Sequence, residues 1–294
     1  MAGRTGQHHR ALDRQHLRRL DPADLHRRLG LRDLRRREPA LLGAPALATE
    51  APSKLRLVGH KGADAIVPGN TLESFAAAVE AGVDTIEFDV LWLPDAHLPL
   101  EERAPLVVAH DWEDAERRKP LALTEALDAF LEPPLDEVEI DLDIKLPGRE
   151  EEIVFALRER GLMERAMVST MELYSLGEIL RLAPELRRGW TYPKVTKDWT
   201  KKRWAKAPMA GALVAMRHRL PGLAAQKLPQ MGVEAMWVYH PLITPRLGRI
   251  CKLAKVELIA WTVDDAARMR KLVDAGVNGL CSNDPRLFTR LDLA

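Results

Sequence analysis

From Leu55 to the C-terminus the chain alternates short β-branched apolar runs with amphipathic stretches, which narrows the folds open to it more than any other feature. LRLVGH, DTIEFDVLWL, PLVVAHD, DEVEIDLDIK, RAMVST, RRGWTY, AMWVYH, VELIAWTV and GLCSND read as strands or strand ends. Between them, Thr71–Ala81, Leu123–Leu131, Arg149–Arg160, Tyr174–Leu182, Thr244–Lys255 and Ala266–Ala275 read as helices. Such alternation implies βαβ units and a parallel sheet. Eight or so units over about 240 residues predict an α/β fold, one (β/α)8 TIM barrel spanning residues 53–294. An open doubly wound sheet is the alternative, but no Gly-rich dinucleotide loop follows the first strand. One helix start is legible: Asn70 with Glu73 three residues on forms a capping-box pattern, and Leu72, Phe75, Ala76 and Val79 then share a face.

The first fifty residues are different. They hold 11 Arg against 6 acidic residues, four of the nine His and no aromatic residue. A segment of that kind buries little surface, so residues 1–52 are expected to form a basic, flexible extension. Arg35–Arg37 followed by an apolar run only faintly matches a signal peptide, since Gly43 and Pro45 interrupt it. A basic arm touching nucleic acid or anionic lipid is the other functional reading of this segment. The remaining 244 residues carry 33 basic and 37 acidic side chains. An anionic substrate must therefore be drawn by local charge, and no nucleic-acid partner is expected. No apolar run approaches the ~18 residues of a membrane span. Two cysteines, Cys251 and Cys281, are too few for a disulfide framework and point to a reduced, cytoplasmic setting.

Carboxylates stand where a parallel core would not choose them. In Thr85–Leu93, Glu87 and Asp89 alternate with Ile86, Phe88 and Val90 and so share one face. In Glu137–Lys145 the set opposite Val138, Ile140, Leu142 and Ile144 is Glu139, Asp141, Asp143 and Lys145. Parallel strands are normally buried on both faces, and unpaired inward charges are costly. Either a structural ion network or a hard cation would neutralise them, and oxygen-rich sites suit Mg2+ or Ca2+. His60 and His110 each end a predicted strand, in VGH before Lys61-Gly62 and in VVAH before Asp111. All of these would project at the C-terminal rim, where barrel enzymes place their chemistry.

The ordered set HKG at 60–62, PGNT at 68–71, ESF at 73–75, AGVDTIEFDV at 81–90, VVAHD at 107–111, DIK at 143–145, VST at 168–170, AWTVDD at 260–265 and GVNGLCSNDP at 276–285 resembles the glycerophosphodiester phosphodiesterase family. The resemblance covers about four fifths of the chain and implies the same barrel. It implies that His60 and His110 are an acid/base pair and that Glu87, Asp89 and Asp143 hold one divalent metal ion. It places Lys61 and Lys145 at the phosphate and Trp261 beside the substrate. The chain departs from the family pattern at Lys61, usually Arg, at Gly69, usually Glu, and at Asp143, usually Glu. Related sphingomyelinase D-like barrels carry Asp at the position of Asp143, and Leu91–Pro105 is longer than usual.

The implied activity is metal-dependent hydrolysis of small glycerophosphodiesters to glycerol 3-phosphate and an alcohol. Two alternatives stand beside it: a lysophospholipase D-like enzyme acting on lipids, and a degenerate barrel that binds a phosphorylated ligand without turnover. The lipid alternative leans on Lys194–Lys206, where basic residues interleave with Trp199 and Trp204. That segment reads first as a helix with solvated charges and second as a weak membrane-surface contact. His240, after the AMWVYH strand, reads first as a structural residue and second as lining the pocket, Cys281 as a small core residue and His218 as exposed.

Overall fold

Eight strands run parallel and close on themselves in the order β1 (Arg56–His60), β2 (Thr85–Leu91), β5 (Glu139–Ile144), β6 (Ala166–Thr170), β7 (Arg187–Tyr192), β8 (Ala235–Tyr239), β9 (Glu257–Trp261) and β10 (Gly279–Ser282). Pairing of β10 with β1 completes the (β/α)8 barrel. The computed structural model describes residues 54–93, 95, 97–194 and 206–291. The basic segment 1–52 and residues 195–205 of the Trp-bearing segment lie outside the described residues. Lys194 is described, and it pairs with Glu172.

Crossover helices follow the strands: α1 (Leu72–Glu80) after β1, α4 (Glu150–Glu159) after β5 and α5 (Leu173–Leu182) after β6. Then come α6 (Lys206–Met231), α7 (Pro245–Ala254) and α8 (Ala266–Asp274). After β10 the chain makes a 3-10 turn over Pro285–Arg290. The sequence patterns place six of the shorter helices to within a residue or two, but miss the short helix Trp112–Arg117 and give no sign of α6. Its 26 residues contain Pro221 and Pro229 and lack a dominant apolar face, so no helical period shows. At 1.5 Å per residue it is about 39 Å long, far more than a strand needs to return.

The β2–β5 connection departs most from a simple crossover. It holds β3 (Val107–Val108), α2 (Trp112–Arg117), β4 (Leu121–Ala122) and α3 (Leu123–Ala129). PLVVAHD was expected to supply a barrel strand. Only Val107–Val108 is extended, and it runs antiparallel to β2, outside the barrel. The start of α1 also differs from expectation. Thr71 is the N-cap and Ser74 completes the box, because Asn70 takes a left-handed backbone at φ 60° and turns its side chain elsewhere.

Two apolar shells hold the barrel. Outward residues pack under the helices, with Phe75, Phe88 and Phe130 forming one cluster of rings 5.4–5.8 Å apart. Truncating any of the three to Ala would cost roughly 3–5 kcal/mol. Inside the barrel the apolar layer is thin: Val58, Met167, Ala235, Trp237, Ile259 and Cys281. A Cβ on Gly189 would meet Trp237 Nε1 at 2.6 Å, so the indole crosses the interior over a bare backbone. Below this layer lie Arg56, Glu139, Arg187 and Glu257, and above it lies the candidate site.

Candidate active site

Strand register builds the site. Because β1 pairs β2 and β2 pairs β5, His60 stands beside Glu87, Glu87 beside Asp141, and Asp89 beside Asp143. Side chains of one parity point inward, so these carboxylates converge above the apolar layer. Ligand atoms of Glu87, Asp89 and Asp143 all lie within 4.8 Å of one another, and all three residues are buried. Lys145, one residue past β5, places its ammonium against both Asp89 and Asp143.

One ammonium does not balance three carboxylates, and the acidities say so. Burial, with Asp89 next to it, pushes the Glu87 carboxyl well above the usual range. Burial likewise raises Asp143, against the pull of Lys145. Asp89 is the exception: burial opposes its charge, but Lys145 and a hydrogen bond from His110 hold it well below the usual range. Burial lowers Lys145, yet Asp143, Asp89 and Glu87 together outweigh that and raise it. A formal charge of about −2 is left, carried on oxygen donors. That donor set fits one hard divalent cation, Mg2+ or Ca2+.

The histidines approach from opposite sides. His60, the last residue of β1, lies 3.9 Å by Nε2 from Glu87 Oε2, and its Nδ1 is 2.6 Å from Asn283 Oδ1. Burial and the charge of Lys61 lower its pKa to about 4. His110 lies two residues beyond β3, on the turn into α2, with Nδ1 3.1 Å from Asp89 Oδ2. A carboxylate only accepts, so this Nδ1 carries a proton. The His110 side chain is 49% exposed against 20% for His60, so the two rings differ in access to water.

The turn after β1 is tightly built. Lys61 has φ 51° and Gly62 φ 85°; a Cβ on Gly62 would lie 2.6 Å from the Ser74 backbone. The Lys61 amide donates to Glu87 Oε2 at 2.9 Å, and Ser74 Oγ donates to the Lys61 carbonyl at 2.7 Å. The Lys61 ammonium stands 3.8 Å from Asp64, and its charge adds to those that hold Asp89 low. Asp64 also fills the space that a side chain at position 69 would need, accepting from the Gly69 amide at 2.7 Å. Trp261 is inward on β9 across the mouth, its ring 5.6 Å from Tyr239. The structure thus brings His60, His110, Glu87, Asp89, Asp143 and Lys145 into one network, while Lys61 and Trp261 stand at its edge.

Several partners escaped the sequence. Asn70 donates from Nδ2 to Asp89 Oδ2 at 2.8 Å and accepts from the Asp89 amide at 3.1 Å. Its capping pattern hid that role. Arg118 bonds the Asn70 and Val108 carbonyls, tying the His110 turn to α1. Asp141 lies fully buried two residues before Asp143 on β5, beside Glu87, raised by burial and accepting from Ser169 Oγ at 2.6 Å. The lengthened loop after β2 is pinned at the rim. Buried Arg149 donates to Asp95 at 3.2 Å and to the Ala104 carbonyl at 2.8 Å, and Arg103 bonds Glu152 at 2.7 Å. His240 accepts from Arg268 at its Nδ1 and at its carbonyl. Cys281 is a buried strand residue and His218 is exposed.

The family model for the glycerophosphoryl diester phosphodiesterase family matches residues 60–113 and 137–287. A glycerophosphodiester phosphodiesterase of Caldanaerobacter subterraneus subsp. tengcongensis is 29% identical over 274 residues, 81% of this chain and 98% of that one. Among solved structures, a putative glycerophosphoryl diester phosphodiesterase from Silicibacter pomeroyi superposes with a TM-score of 0.61 at 20% identity. That match covers 83% of this chain and 94% of the other. An Oleispira antarctica phosphodiesterase, solved with the product sn-glycerol-3-phosphate, superposes at 0.56 with 18% identity, covering 80% and 95%. These structural likenesses carry the fold. The family match omits residues 114–136, the part of the β2–β5 connection after the start of α2.

Proposed function

Because the chain belongs to the glycerophosphoryl diester phosphodiesterase family, and so to the phosphoric diester hydrolases, we propose that it splits small glycerophosphodiesters with His60 and His110 as its proton carriers. The balanced reaction takes one phosphodiester and one water and yields sn-glycerol 3-phosphate and the headgroup alcohol. The observation that carries this reading is the convergence of two histidines on three underbalanced carboxylates.

His60, neutral with its Nε2 toward the cluster, takes the proton of the attacking hydroxyl, which belongs to water or to the glycerol 2-OH; in the second case a cyclic phosphodiester forms and the water opens it in a following step. His110, whose Nδ1–H donates to Asp89, acts in its doubly protonated form and gives its Nε2 proton to the departing alcohol oxygen as the phosphorus–oxygen bond breaks. Lys145, already among the carboxylates, and Lys61 stabilise charge on the phosphoryl oxygens. Glu87, Asp89 and Asp143 would hold one Mg2+ or Ca2+, which when bound supplies Lewis-acid polarisation of the phosphoryl group. Trp261 is proposed to pack against the glycerol or headgroup.

The test is release of sn-glycerol 3-phosphate from glycerophosphocholine and glycerophosphoethanolamine, with EDTA and then with Mg2+ or Ca2+. Turnover that EDTA leaves untouched would sink the metal assignment, and no turnover of either diester would sink the substrate class. Turnover of lysophosphatidylcholine in preference to glycerophosphocholine would move the reading to a lipid-surface enzyme, whose proposed contact runs through residues 194–206. The proposed catalytic unit is residues 53–294, so removing residues 1–52 is expected to leave this activity unchanged. Both cysteines are buried and unpaired, which supports a reduced, cytoplasmic location, and no helix among the described residues is long and apolar enough to cross a membrane.

A further inference from the structure

His60 is held by a chain of two residues that the reaction above does not use. Its Nδ1 meets Asn283 Oδ1 at 2.6 Å; Asn283 Nδ2 in turn donates to Asp264 Oδ2 at 2.6 Å, and the Asn283 amide donates to Asp264 Oδ1 at 2.8 Å. Ser282 Oγ also donates to Asp264, at 2.9 Å, and the Asn283 carbonyl is tied to the Ala65 amide at 2.9 Å. The three side chains come from the ends of β1, β9 and β10.

The polarity of this chain is forced from its outer end. An ionised carboxylate only accepts, so the Asn283 NH2 must face Asp264. The amide oxygen must then face His60, and a nitrogen 2.6 Å from a carbonyl oxygen must carry the hydrogen. The other tautomer would set a ring lone pair against that oxygen. Flipping the amide to relieve this would set oxygen against carboxylate 2.6 Å away. We infer that Asn283, oriented by Asp264, fixes His60 as the Nδ1–H tautomer and keeps its bare Nε2 toward Glu87, making both residues positioning residues for the proposed base. The inference rests on the proposed reaction only for its kinetic consequence. The tautomer follows from geometry alone. Outer partners that fix a histidine's tautomer are typically worth about 10–100-fold.

The test uses full-length protein saturated with Mg2+, labelled with 15N in histidine, observed at neutral pH by long-range proton–nitrogen correlation. His60→Gln identifies the His60 signals by their loss. The expected wild-type pattern is a protonated, pyrrole-type Nδ1 and an unprotonated, pyridine-type Nε2. Asn283→Ala should move both signals toward the averaged pattern of a free imidazole and lower kcat about 10–100-fold, with KM little changed. The paired exchange Asn283→Asp with Asp264→Asn, which keeps an acceptor toward His60 and a donor between the two side chains, should retain the pattern and most of kcat. Should Asn283→Ala fail to fold, Asp264→Asn at the exposed end frees the amide to turn and should blur the tautomer in the same way. A protonated Nε2 in the wild type, or an unchanged spectrum in both Asn283→Ala and Asp264→Asn, would overturn the assignment. A changed tautomer with unchanged kcat would overturn the positioning role. Wild-type protein with the expected spectrum but no diesterase activity would count against the proposed reaction and leave the tautomer assignment standing.

Discussion

The two ends of the barrel interior are built from the same strands with the same alternation, and they resolve their charges in opposite ways. At the lower end Glu139 meets Arg56 and Arg187, and Arg56 also bonds Glu257 at 3.1 Å and Thr85 at 3.0 Å. Two guanidiniums face two carboxylates. Burial pushes Glu139 up, but Arg187 and Arg56 outweigh it and hold the carboxyl below the usual range. At the upper end three carboxylates share one ammonium, and Glu87 and Asp143 are pushed up. Inward charge in a barrel is therefore not in itself a mark of function. The mark is a deficit of partners, which at the lower end is absent.

Substitutions should separate the two ends. The largest expected effect is at the histidines: His60→Ala and His110→Ala should each lower kcat by about 10^2–10^4 in a diesterase assay, with thermal melting little changed. Saturating the upper cluster comes next. Mg2+ or Ca2+ at a hundred times its dissociation constant should stabilise the protein by ~2.7 kcal/mol in melts against EDTA. Glu87→Gln should remove that response, abolish turnover and leave the metal-free protein no less stable, since it relieves repulsion. A less stable metal-free variant would mean that the upper end is a closed network like the lower one.

Glu139→Gln should do the reverse, costing roughly 1–3 kcal/mol of stability by taking the carboxylate from Arg187, while Arg56 keeps Glu257 and kcat holds. A marked loss of activity would break the contrast. The smallest effect is in pH. A folded-state carboxyl held below its unfolded value contributes stability that is present above the unfolded value and lost as pH falls through the folded one. Wild-type melting should thus fall more steeply below about pH 4.3 than that of Glu139→Gln.

Much of this was readable before any fold was known, because side-chain alternation on a strand is a strict rule. It put Glu87 with Asp89 and Asp143 with Lys145 on single faces, and the structure keeps them there. What alternation cannot give is depth. Asp141 has the parity of Asp143 but sits a layer lower against Ser169, and Glu139 lower still. Nor could local patterns show partners brought by closure. Asn70 looked like a cap because its role depends on Asp89, and Asn283 is 223 positions from the histidine it holds. His110 reaches Asp89, but not from the end of a barrel strand: an antiparallel pair of residues and a turn carry it there. The helix α6 escaped because two internal prolines and mixed faces erase its period.

The seam of the barrel has a consequence for how the protein comes into being. β1 pairs with β2 on one side and with β10 on the other, so His60 takes Glu87 from an early strand and Asn283 from the last one. Contacts this distant in sequence are slow to form, since the loop entropy of nearly the whole chain must be overcome first. A growing chain on the ribosome could assemble the carboxylates of β2 and β5 well before the final strand emerges. On the proposed reaction, its histidine would be aimed only when β10 closes the ring, so turnover would arise after the carboxylates are already assembled.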